Sequence, residues 1–284
     1  MMEKTLYVTD MDGTLLNKQG RLSEYSKAAI RRFAEDNILF TCATGRTLTS
    51  VNALLGDTAF TCPAILSDGL FIYNMLDSAV IYTNPLSNES INNIESILIK
   101  SKSDGFLYAL QDAQYSLFYK SLKHPLAYHF HQQKLRFLQN NTFQIPSFAH
   151  LPASYIPLYF VIYGPYSQLV KLRNDFEALP GIHCLLNRDV YHPQKDIFFM
   201  NVLNADCSKA SAIHHLKKLV NASEVVAFGD NLNDIPMLMA ADRCYVTENG
   251  IPQAKEIATG VIGSCDEDAV VRFIEREIMV NGPQ

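Results

Sequence analysis

The chain has 284 residues, of which 48% are hydrophobic and 19% are charged, a composition typical of a folded protein and unlike that of a disordered segment or a fibre. Its length allows one large domain or two smaller ones. With 24 Lys and Arg against 29 Asp and Glu, the net charge of −5 argues against a nucleic-acid-binding surface and a basic strip for membranes, and favours a small-molecule partner.

The first third of the chain alternates the patterns of buried strands and amphipathic helices. Apolar runs predict strands at 6–8, 38–44 and 63–67. Between the first two strands, a helix is predicted after the N-cap candidate Ser23, with an apolar stripe that includes Tyr25 and Phe33. Strand, helix and strand joined by short links form the βαβ signature, which predicts a parallel sheet with its functional sites at the carboxyl ends of the strands.

The middle of the chain has a different pattern. Segments 106–111 and 114–120 predict a β-hairpin around the turn pair Asp112 and Ala113. A helix, a strand at 157–163 and a further helix follow. Antiparallel pairing of this kind indicates an α+β domain inserted into the α/β pattern.

The α/β pattern resumes in the last third of the chain. Strands are predicted at 196–202, 224–228 and 243–247, with helices at about 208–220 and 234–240 between them. A final helix follows the last strand. The two ends of the chain are therefore expected to build one sheet together.

These patterns predict an α/β fold with two domains. The Rossmann-like parallel-sheet core consists of residues 1–83 and 191–284, and the inserted α+β domain consists of residues 84–190. No internal repeat is evident.

The cysteines and the apolar runs indicate in which cellular compartment the protein is expected. The six cysteines are scattered without CxxC or metal-ligand spacing, which predicts reduced thiols. The first residues do not resemble a signal peptide, and no apolar run approaches the roughly 20 residues of a membrane span. We therefore expect a cytoplasmic protein, and the sequence leaves its oligomeric state open.

Two carboxylates, Asp10 and Asp12, follow the first predicted strand in the segment DMDGTLL. Like charges this close repel each other, and a hard cation is the usual means of offsetting the repulsion. Gly13 allows a sharp turn and the close approach of a ligand. The alternative interpretation is an ordinary surface turn, in which Asp and Gly are also common.

Two further segments carry groups suited to an anion. Thr44, Gly45 and Arg46 lie where the second strand breaks into a helix, so a hydroxyl, backbone N–H groups and a cation suit a phosphate there. Lys209 lies in the first turn of a helix, where a cation opposes the helix dipole unless an anion is nearby. Taken alone, Arg46 and Lys209 are equally compatible with solvated surface side chains.

The segment GDNLND again places a carboxylate, Asp230, at the end of a strand. Asn233 and Asp234 open the next helix, where Asp234 has the alternative role of an N-cap. The segments together bring carboxylates, a hydroxyl, a lysine and an amide to one predicted sheet edge. Phosphoryl transfer requires such groups, because it is catalysed by positioning and by charge neutralisation.

Four ordered motifs of the chain resemble those of the haloacid dehalogenase superfamily, namely DMDGTLL, TGR, SKA and GDNLND. The insert between the second and third motifs resembles the cap domain (C2 type) of its type IIB, Cof-like sugar-phosphate phosphatases. The chain departs from the family pattern at two positions. Ala210 replaces the glycine that usually follows the motif lysine, and Asp68 stands where many relatives have asparagine.

The resemblance implies a role for each motif residue. Asp10 would be the nucleophile that forms an aspartyl phosphate, and Asp12 would protonate the leaving alcohol and then activate water. Mg²⁺ would be held by the Asp10 carboxylate, the Asp12 main-chain carbonyl and Asp230. The phosphate oxygens would be held by five further groups, namely Thr44, the Gly45 amide, Arg46, Lys209 and Asn233. Asp234 would orient these groups without contacting the phosphate itself.

The implied activity is a magnesium-dependent phosphatase acting on a small phosphorylated metabolite. A sugar phosphate is expected ahead of pyridoxal phosphate or flavin mononucleotide. One alternative is a phosphomutase, which would transfer phosphate between positions of a sugar. Another is a regulatory module that is phosphorylated on Asp10 without turnover, although Asp12, placed to activate water, argues against a long-lived phosphoryl group.

Overall fold

A computed structural model of the chain describes residues 4–111, 114–123, 125–138, 141–188 and 197–281. The predicted turn pair Asp112 and Ala113 and the predicted domain boundary at 190 lie outside these ranges. The strands, numbered in chain order, are β1 (Thr5–Thr9), β2 (Leu39–Cys42), β3 (Ala64–Leu66), β4 (Phe71–Asn74), β5 (Ala79–Thr83), β6 (Phe106–Gln111), β7 (Gln114–Tyr119), β8 (Thr142–Gln144), β9 (Ile156–Gly164), β10 (Ile182–Arg188), β11 (Phe198–Asn204), β12 (Glu224–Gly229), β13 (Arg243–Thr247) and β14 (Gly260–Ile262).

The helices connect these strands and end the chain. They are α1 (Glu24–Glu35), α2 (Leu48–Leu55), α3 (Asn88–Ser101), α4 (Pro125–Phe137), α5 (Tyr166–Glu177), α6 (Lys209–Leu219), α7 (Ile235–Ala240), α8 (Pro252–Ile257) and α9 (Ala269–Asn281). None of the helices in the described ranges is both long and apolar enough to cross a bilayer.

One compact unit is formed by Met1–Thr83 together with Cys207–Gln284. Its centre is a five-stranded parallel sheet in the order β14-β13-β12-β1-β2. Every residue of β1 is buried, as expected for the middle strand of a parallel sheet that is covered on both faces. The predicted Rossmann-like α/β core is confirmed.

Helix α1 begins where the sequence predicts, but its buried face differs from the prediction. The Ser23 side chain caps the helix by accepting from the backbone N–H of Ser26. Phe33 is buried, whereas Tyr25 is 37% exposed, so its assignment to the apolar stripe is wrong. The Tyr25 hydroxyl donates to Glu275 at 2.6 Å, and a phenol with such a partner is stable at the surface.

Strand β3 starts a separate sheet and is not a regular member of the parallel one. It forms a three-stranded antiparallel sheet in the order β3-β4-β5, and it touches β2 through one parallel bridge, between Ala43 and Ile65. The chain reverses after β3 because Ser67, Asp68 and Gly69 all have positive φ, at 51°, 56° and 95°. This reversal brings β4 back along β3 instead of into the core sheet.

The second compact unit is the cap domain, Asn84–Asp206. Its six-stranded sheet has the order β10-β11-β9-β6-β7-β8 and is antiparallel except for β7 and β8. The predicted assignment of the strand at 196–202 to the core, and with it the boundary at 190, is wrong. That strand, β11, pairs antiparallel with β9 and β10, and so belongs to the cap. An apolar strand does not reveal its partner in its own sequence.

The cap sheet buries apolar side chains on both faces, because its strands alternate. On one face, Leu107 and Phe160 pack in a core with Ile94 of α3 and Leu169 of α5. On the other face, α4 covers an aromatic cluster that includes Phe106. Helices on both faces of a mainly antiparallel sheet confirm the predicted α+β character of the insert.

Candidate active site

Three predicted site segments end at the same edge of the parallel sheet. Asp10 directly follows β1, Thr44 comes shortly after β2, and Asp230 directly follows β12. Strand β1 lies between β2 and β12, and the Asp10 N–H extends the pairing by donating to the Phe228 carbonyl at 2.8 Å. Parallel neighbours finish at a common edge, so these side chains lie side by side.

Lys209 is a buried cation between two carboxylates. It is the first residue of α6 and only 3% exposed, and its Nζ donates to Asp10 Oδ1 at 2.5 Å and to Asp234 Oδ1 at 2.8 Å. Burial is the largest influence on the pKa of Lys209 and lowers it, but the two carboxylates together outweigh burial and raise the pKa above its ordinary value. Lys209 is therefore a fixed positive charge, stabilised by anions despite its position at a helix start.

Asp10 is a buried carboxyl group that lies near two other carboxyl groups as well as near Lys209. Burial, the largest influence, raises the pKa of Asp10 above its ordinary value, and the carboxylates of Asp234 and Asp230 raise it further. The Lys209 ammonium acts against them and lowers the pKa. One cation shared between two buried carboxylates leaves this part of the site with excess negative charge, so a further cation would stabilise the ionised form of Asp10.

Asp234 organises the turn after β12. Its Oδ2 accepts from the backbone N–H groups of Asp230 at 3.0 Å and Asn231 at 3.1 Å, while its Oδ1 accepts from Lys209. The side chain is completely buried. Because both of its oxygens are engaged, Asp234 holds the positions of Lys209 and of the Asp230 backbone and offers little to a ligand.

Asp230 is half-buried against the turn that follows β1. Its Oδ1 accepts from Thr14 Oγ1 at 3.2 Å, and burial together with the Asp234 charge raises its pKa to about 6. A Cβ added to Gly13, whose φ is +80°, would lie only 2.3 Å from Asp230 Oδ2. Glycine is therefore required there both by its backbone conformation and by the space that the carboxylate occupies.

The donor set at this edge fits a hard divalent cation. Carboxylate oxygens of Asp10, Asp230 and Asp234 lie within 4.8 Å of one another. Asp234 already accepts from three donors, so the carboxylates with more capacity for a metal are those of Asp10 and Asp230, whose oxygens are ligands of the kind that Mg²⁺ prefers. The Asp12 side chain lies outside this cluster, as a main-chain ligand would allow.

Asp12 is paired with Arg46 in a two-pronged ion pair. Arg46 Nε donates to Asp12 Oδ2 at 2.7 Å, and Nη2 donates to Oδ1 at 2.5 Å, while Nη1 donates to Ser50 Oγ at 2.8 Å. The Asp12 side chain is 56% exposed. Planar pairing of this kind fixes the orientation of a carboxylate. Arg46, predicted to bind phosphate, thus contacts the neighbouring carboxylate directly.

The other predicted phosphate-binding groups differ in how firmly they are held. Thr44 is buried, and its Oγ1 accepts from the Arg46 backbone N–H at 3.2 Å. Gly45 is exposed at the surface of the site. Asn233 is exposed as well, and its side chain has no hydrogen bond to any other residue in the described ranges. The structure therefore brings Thr44 into the fixed part of the site, but not Asn233.

The turn from Ser67 to Gly69 supports the site and was not predicted as part of it. A Cβ on Gly69 would lie 2.2 Å from the Ser208 carbonyl oxygen, so this glycine allows the chain to approach the start of α6, immediately before Lys209. A Cβ on Gly45 would lie 2.9 Å from Asp68 Oδ2. The available sequence signal was the Asp-Gly pair, a common turn former.

Ala210 follows Lys209 in the first turn of α6. Alanine is favoured over glycine inside a helix by about 1 kcal/mol. The departure from the family pattern at this position therefore suits the helix that holds Lys209.

The comparisons with known proteins extend over almost the whole chain. Residues 7–274 match the family model described as haloacid dehalogenase-like hydrolase. A relative from Klebsiella pneumoniae (strain 342), named HMP-PP phosphatase, is 26% identical over 93% of this chain and 92% of its own length. A relative from Escherichia coli (strain K12), named pyridoxal phosphate phosphatase YbhA, is 27% identical over 96% of this chain and 98% of its own.

Solved structures share the fold. A haloacid dehalogenase-like hydrolase from Bacteroides thetaiotaomicron superposes with a TM-score of 0.69, covering 97% of this chain and 100% of that one. Its sequence is 20% identical, so this likeness concerns the fold alone. It agrees with the core and the inserted cap domain described above.

Proposed function

The chain belongs to the haloacid dehalogenase-like hydrolases, and from that membership we propose that it hydrolyses phosphate esters of small metabolites with Asp10 as the nucleophile. One observation carries the proposal, namely the buried Lys209 ammonium that joins Asp10 to Asp234. Because Lys209 engages Oδ1 of Asp10, we assign the attack on phosphorus to Oδ2. The phosphatase names of the two relatives support the same class of reaction.

The reaction is proposed to run in two displacements at phosphorus. In the first, Asp10 Oδ2 bonds to phosphorus while the ester P–O bond breaks, and the leaving oxygen takes a proton from the Asp12 carboxyl group. The products are an alcohol and an aspartyl phosphate. In the second, the Asp12 carboxylate takes a proton from water as the water oxygen attacks phosphorus, which releases inorganic phosphate and restores Asp10.

The phosphate oxygens are proposed to lie among Thr44 Oγ1, the Gly45 N–H, the Asn233 amide and Lys209. These groups would offset the charge that develops on the transferring phosphoryl group. The buried position of Lys209 supports this role, because a charge in a site of low dielectric acts more strongly than one in water.

We assign Mg²⁺ to the Asp10 and Asp230 carboxylates and the Asp12 main-chain carbonyl. The bound ion would neutralise charge on the phosphoryl group. The raised pKa of Asp230 supports the assignment, because the same burial and carboxylate repulsion that raise it would favour a cation.

The substrate is proposed to be a small phosphorylated metabolite, with a sugar phosphate as the first candidate. The likeness of the insert to the cap of Cof-like sugar-phosphate phosphatases supports this order. Pyridoxal phosphate and flavin mononucleotide are the next candidates, and the name of the Escherichia coli relative supports the former.

Removal of divalent cations is expected to lower phosphate release at least about a hundredfold, because a metal ion contributes several kcal/mol to the neutralisation of charge in such reactions. The measurement is phosphate release from sugar phosphates, pyridoxal phosphate, flavin mononucleotide and p-nitrophenyl phosphate, with Mg²⁺ and with EDTA. Restoration of the rate by added Mg²⁺ is the control. Equal rates with and without EDTA would contradict the metal assignment.

The same panel separates the alternatives. A requirement for a sugar bisphosphate, with phosphate moving between positions of the sugar, would identify a phosphomutase. A stable phosphoryl group on Asp10 without release of phosphate would identify a regulatory module. Release that continues over many turnovers would support hydrolysis.

Replacing Arg46 with alanine is expected to lower kcat about tenfold to a hundredfold, with a smaller change in KM. The reason is that Arg46 fixes the orientation of Asp12, and a positioned acid or base contributes about 10²–10⁴ to the rate. Arg46→Lys should recover only part of kcat, because lysine cannot form the two-pronged pair. A rise in KM at unchanged kcat would instead indicate that Arg46 binds the substrate phosphate.

A further inference from the structure

Two lysine and serine-rich segments meet at one end of the cap sheet. The first, IKSKSDG (99–105), leads from the end of α3 to β6, and the second, YKSLK (119–123), leaves β7. They lie side by side because Phe106, the first residue of β6, pairs with Tyr119, the last of β7. Between them is a cavity of about 400 Å³, a size typical of small-molecule sites.

The wall of this cavity is built around a buried carboxylate. Glu95 of α3 is 6% exposed and pairs with the Lys120 ammonium. Its other oxygen accepts from Ser147 Oγ at 2.7 Å and from the Phe148 N–H at 3.0 Å. Burial raises the pKa of Glu95, but these partners outweigh it and lower the pKa below its ordinary value. Glu95 thus fixes Lys120 and the chain at 147–148 as preformed parts of the wall.

Two other lysines line the same cavity, together with a second carboxylate, that of Asp104. Lys102 and Lys123 both line it, and neither forms an ion pair with any residue in the part of the chain that the structure describes. Three lysines therefore line the cavity against two carboxylates, Glu95 and Asp104, in a chain whose net charge is −5. Such a local excess of positive charge attracts an anion.

A hydroxyl and an apolar side chain also line the cavity. Ser103 Oγ accepts from Gln168 Nε2 at 3.2 Å and lies 3.0 Å from Ser101 Oγ. The apolar side chain is that of Ile99, which is 61% exposed, whereas Leu98 and Phe148 in the same lining are almost completely buried. The cavity thus combines cations with a hydroxyl and an accessible apolar surface.

The concave surface continues beyond the first cavity. A second cavity of about 460 Å³ shares Lys120, Ser121 and Lys123 with the first and extends to Ile145 and Pro146. The lysines therefore lie at the junction of the two, where a charged group could be held while the rest of a ligand lies along apolar side chains.

We propose that this cavity of the cap domain binds a small organic phosphate, with the dianionic head between Lys102 and Lys123 and the apolar body against Ile99. The two ammonium groups, which have no ion-pair partner among the described residues, match the double charge of the head. The lining residues belong to one compact unit and the proposed phosphatase residues to the other, so the inference does not depend on the proposed function.

A tryptophan reporter makes the cavity observable in the full-length chain. The protein contains no tryptophan, and Ile99 lines the cavity while being 61% exposed, so Ile99→Trp adds a single fluorophore at little cost in packing. The probe is phenylphosphonate, whose C–P bond a phosphatase cannot hydrolyse. We expect a saturable change in tryptophan fluorescence with phenylphosphonate and none with benzyl alcohol, which has the apolar body without the charge.

Charge removal tests the assignment to the lysines. In the Ile99→Trp background, K102Q together with K123Q should weaken phenylphosphonate binding at least about tenfold, the loss expected when charged hydrogen-bond donors are removed. Lys100→Gln is the matched control, because Lys100 lies at the end of α3, two residues before Lys102, but does not line the cavity, and it should leave Kd unchanged. Absence of saturation below about 10 mM, or equal Kd in the double variant, would overturn the proposal.

Discussion

Asp10→Asn is expected to abolish turnover, with kcat lowered at least about 10⁴-fold, because an amide cannot replace a carboxylate as the nucleophile towards phosphorus. The substitution keeps the shape of the side chain, and an Asn oxygen can still accept from Lys209. The loss should therefore arise from chemistry and not from unfolding. The measurement is phosphate release with Mg²⁺, together with a thermal unfolding curve for each variant.

Asp68→Asn is the matched control for this experiment. Asp68 is another carboxyl group near the site, it is half-buried, and burial raises its pKa. The same chemical change should leave turnover within about a factor of ten of the wild type, since Asp68 has no proposed part in the reaction. Retained activity in Asp10→Asn would refute the covalent mechanism, whatever the result at Asp68.

Lys209→Met is expected to lower the free energy of unfolding of the core by about 3–5 kcal/mol, as well as to remove activity. The substitution leaves the buried carboxylates of Asp10 and Asp234 without the cation that they share, and an uncompensated buried charge is strongly destabilising. Methionine fills a similar volume, so loss of packing contributes little. Urea unfolding followed by circular dichroism measures the effect.

Two further variants make the Lys209 result specific. Lys217→Met removes a lysine of the same helix whose partner, Asp242, is exposed, and an exposed ion pair contributes at most about 1 kcal/mol. Combining Lys209→Met with Asp234→Asn should recover part of the lost stability, because one of the two uncompensated buried carboxylates is removed. A single Lys209→Met variant as stable as Lys217→Met would show that the buried cation is not needed by its neighbours.

The sequence predicted the parallel core because periodic apolar runs report local structure directly. The five buried residues of β1 and the Ser23 cap of α1 agree with the pattern in the chain. The end of the cap domain was predicted incorrectly because the pairing partner of a strand is not a local property of its sequence. Strand β11 has the same apolar character whether it joins the core or pairs with β9, and the choice depends on contacts with distant residues.

The pairing of charges was equally beyond the reach of the sequence. The sequence around Lys209 and around Arg46 is compatible with solvated side chains. It does not show that Lys209 is buried between Asp10 and Asp234. Nor does it show that Arg46 forms an ion pair with Asp12. The lysine-lined cavity of the cap has the same origin, since 99–105 and 119–123 meet only when β6 and β7 pair. The spacing of residues in the sequence predicts which side chains are neighbours within one helix or strand. Contacts between strands depend on the register in which the strands pair.

The sequence by itself determined the residues able to take part in the chemistry and the strands and turns that carry them, because side-chain type and hydrophobic period are local properties. Only the tertiary structure decided how these residues are combined. It placed Lys209 out of water, gave Asp234 three hydrogen-bond donors, and brought carboxylate oxygens of Asp10, Asp230 and Asp234 within 4.8 Å of one another. Burial and distance set the strength of every charge interaction in the site, and both exist only after the strands have paired.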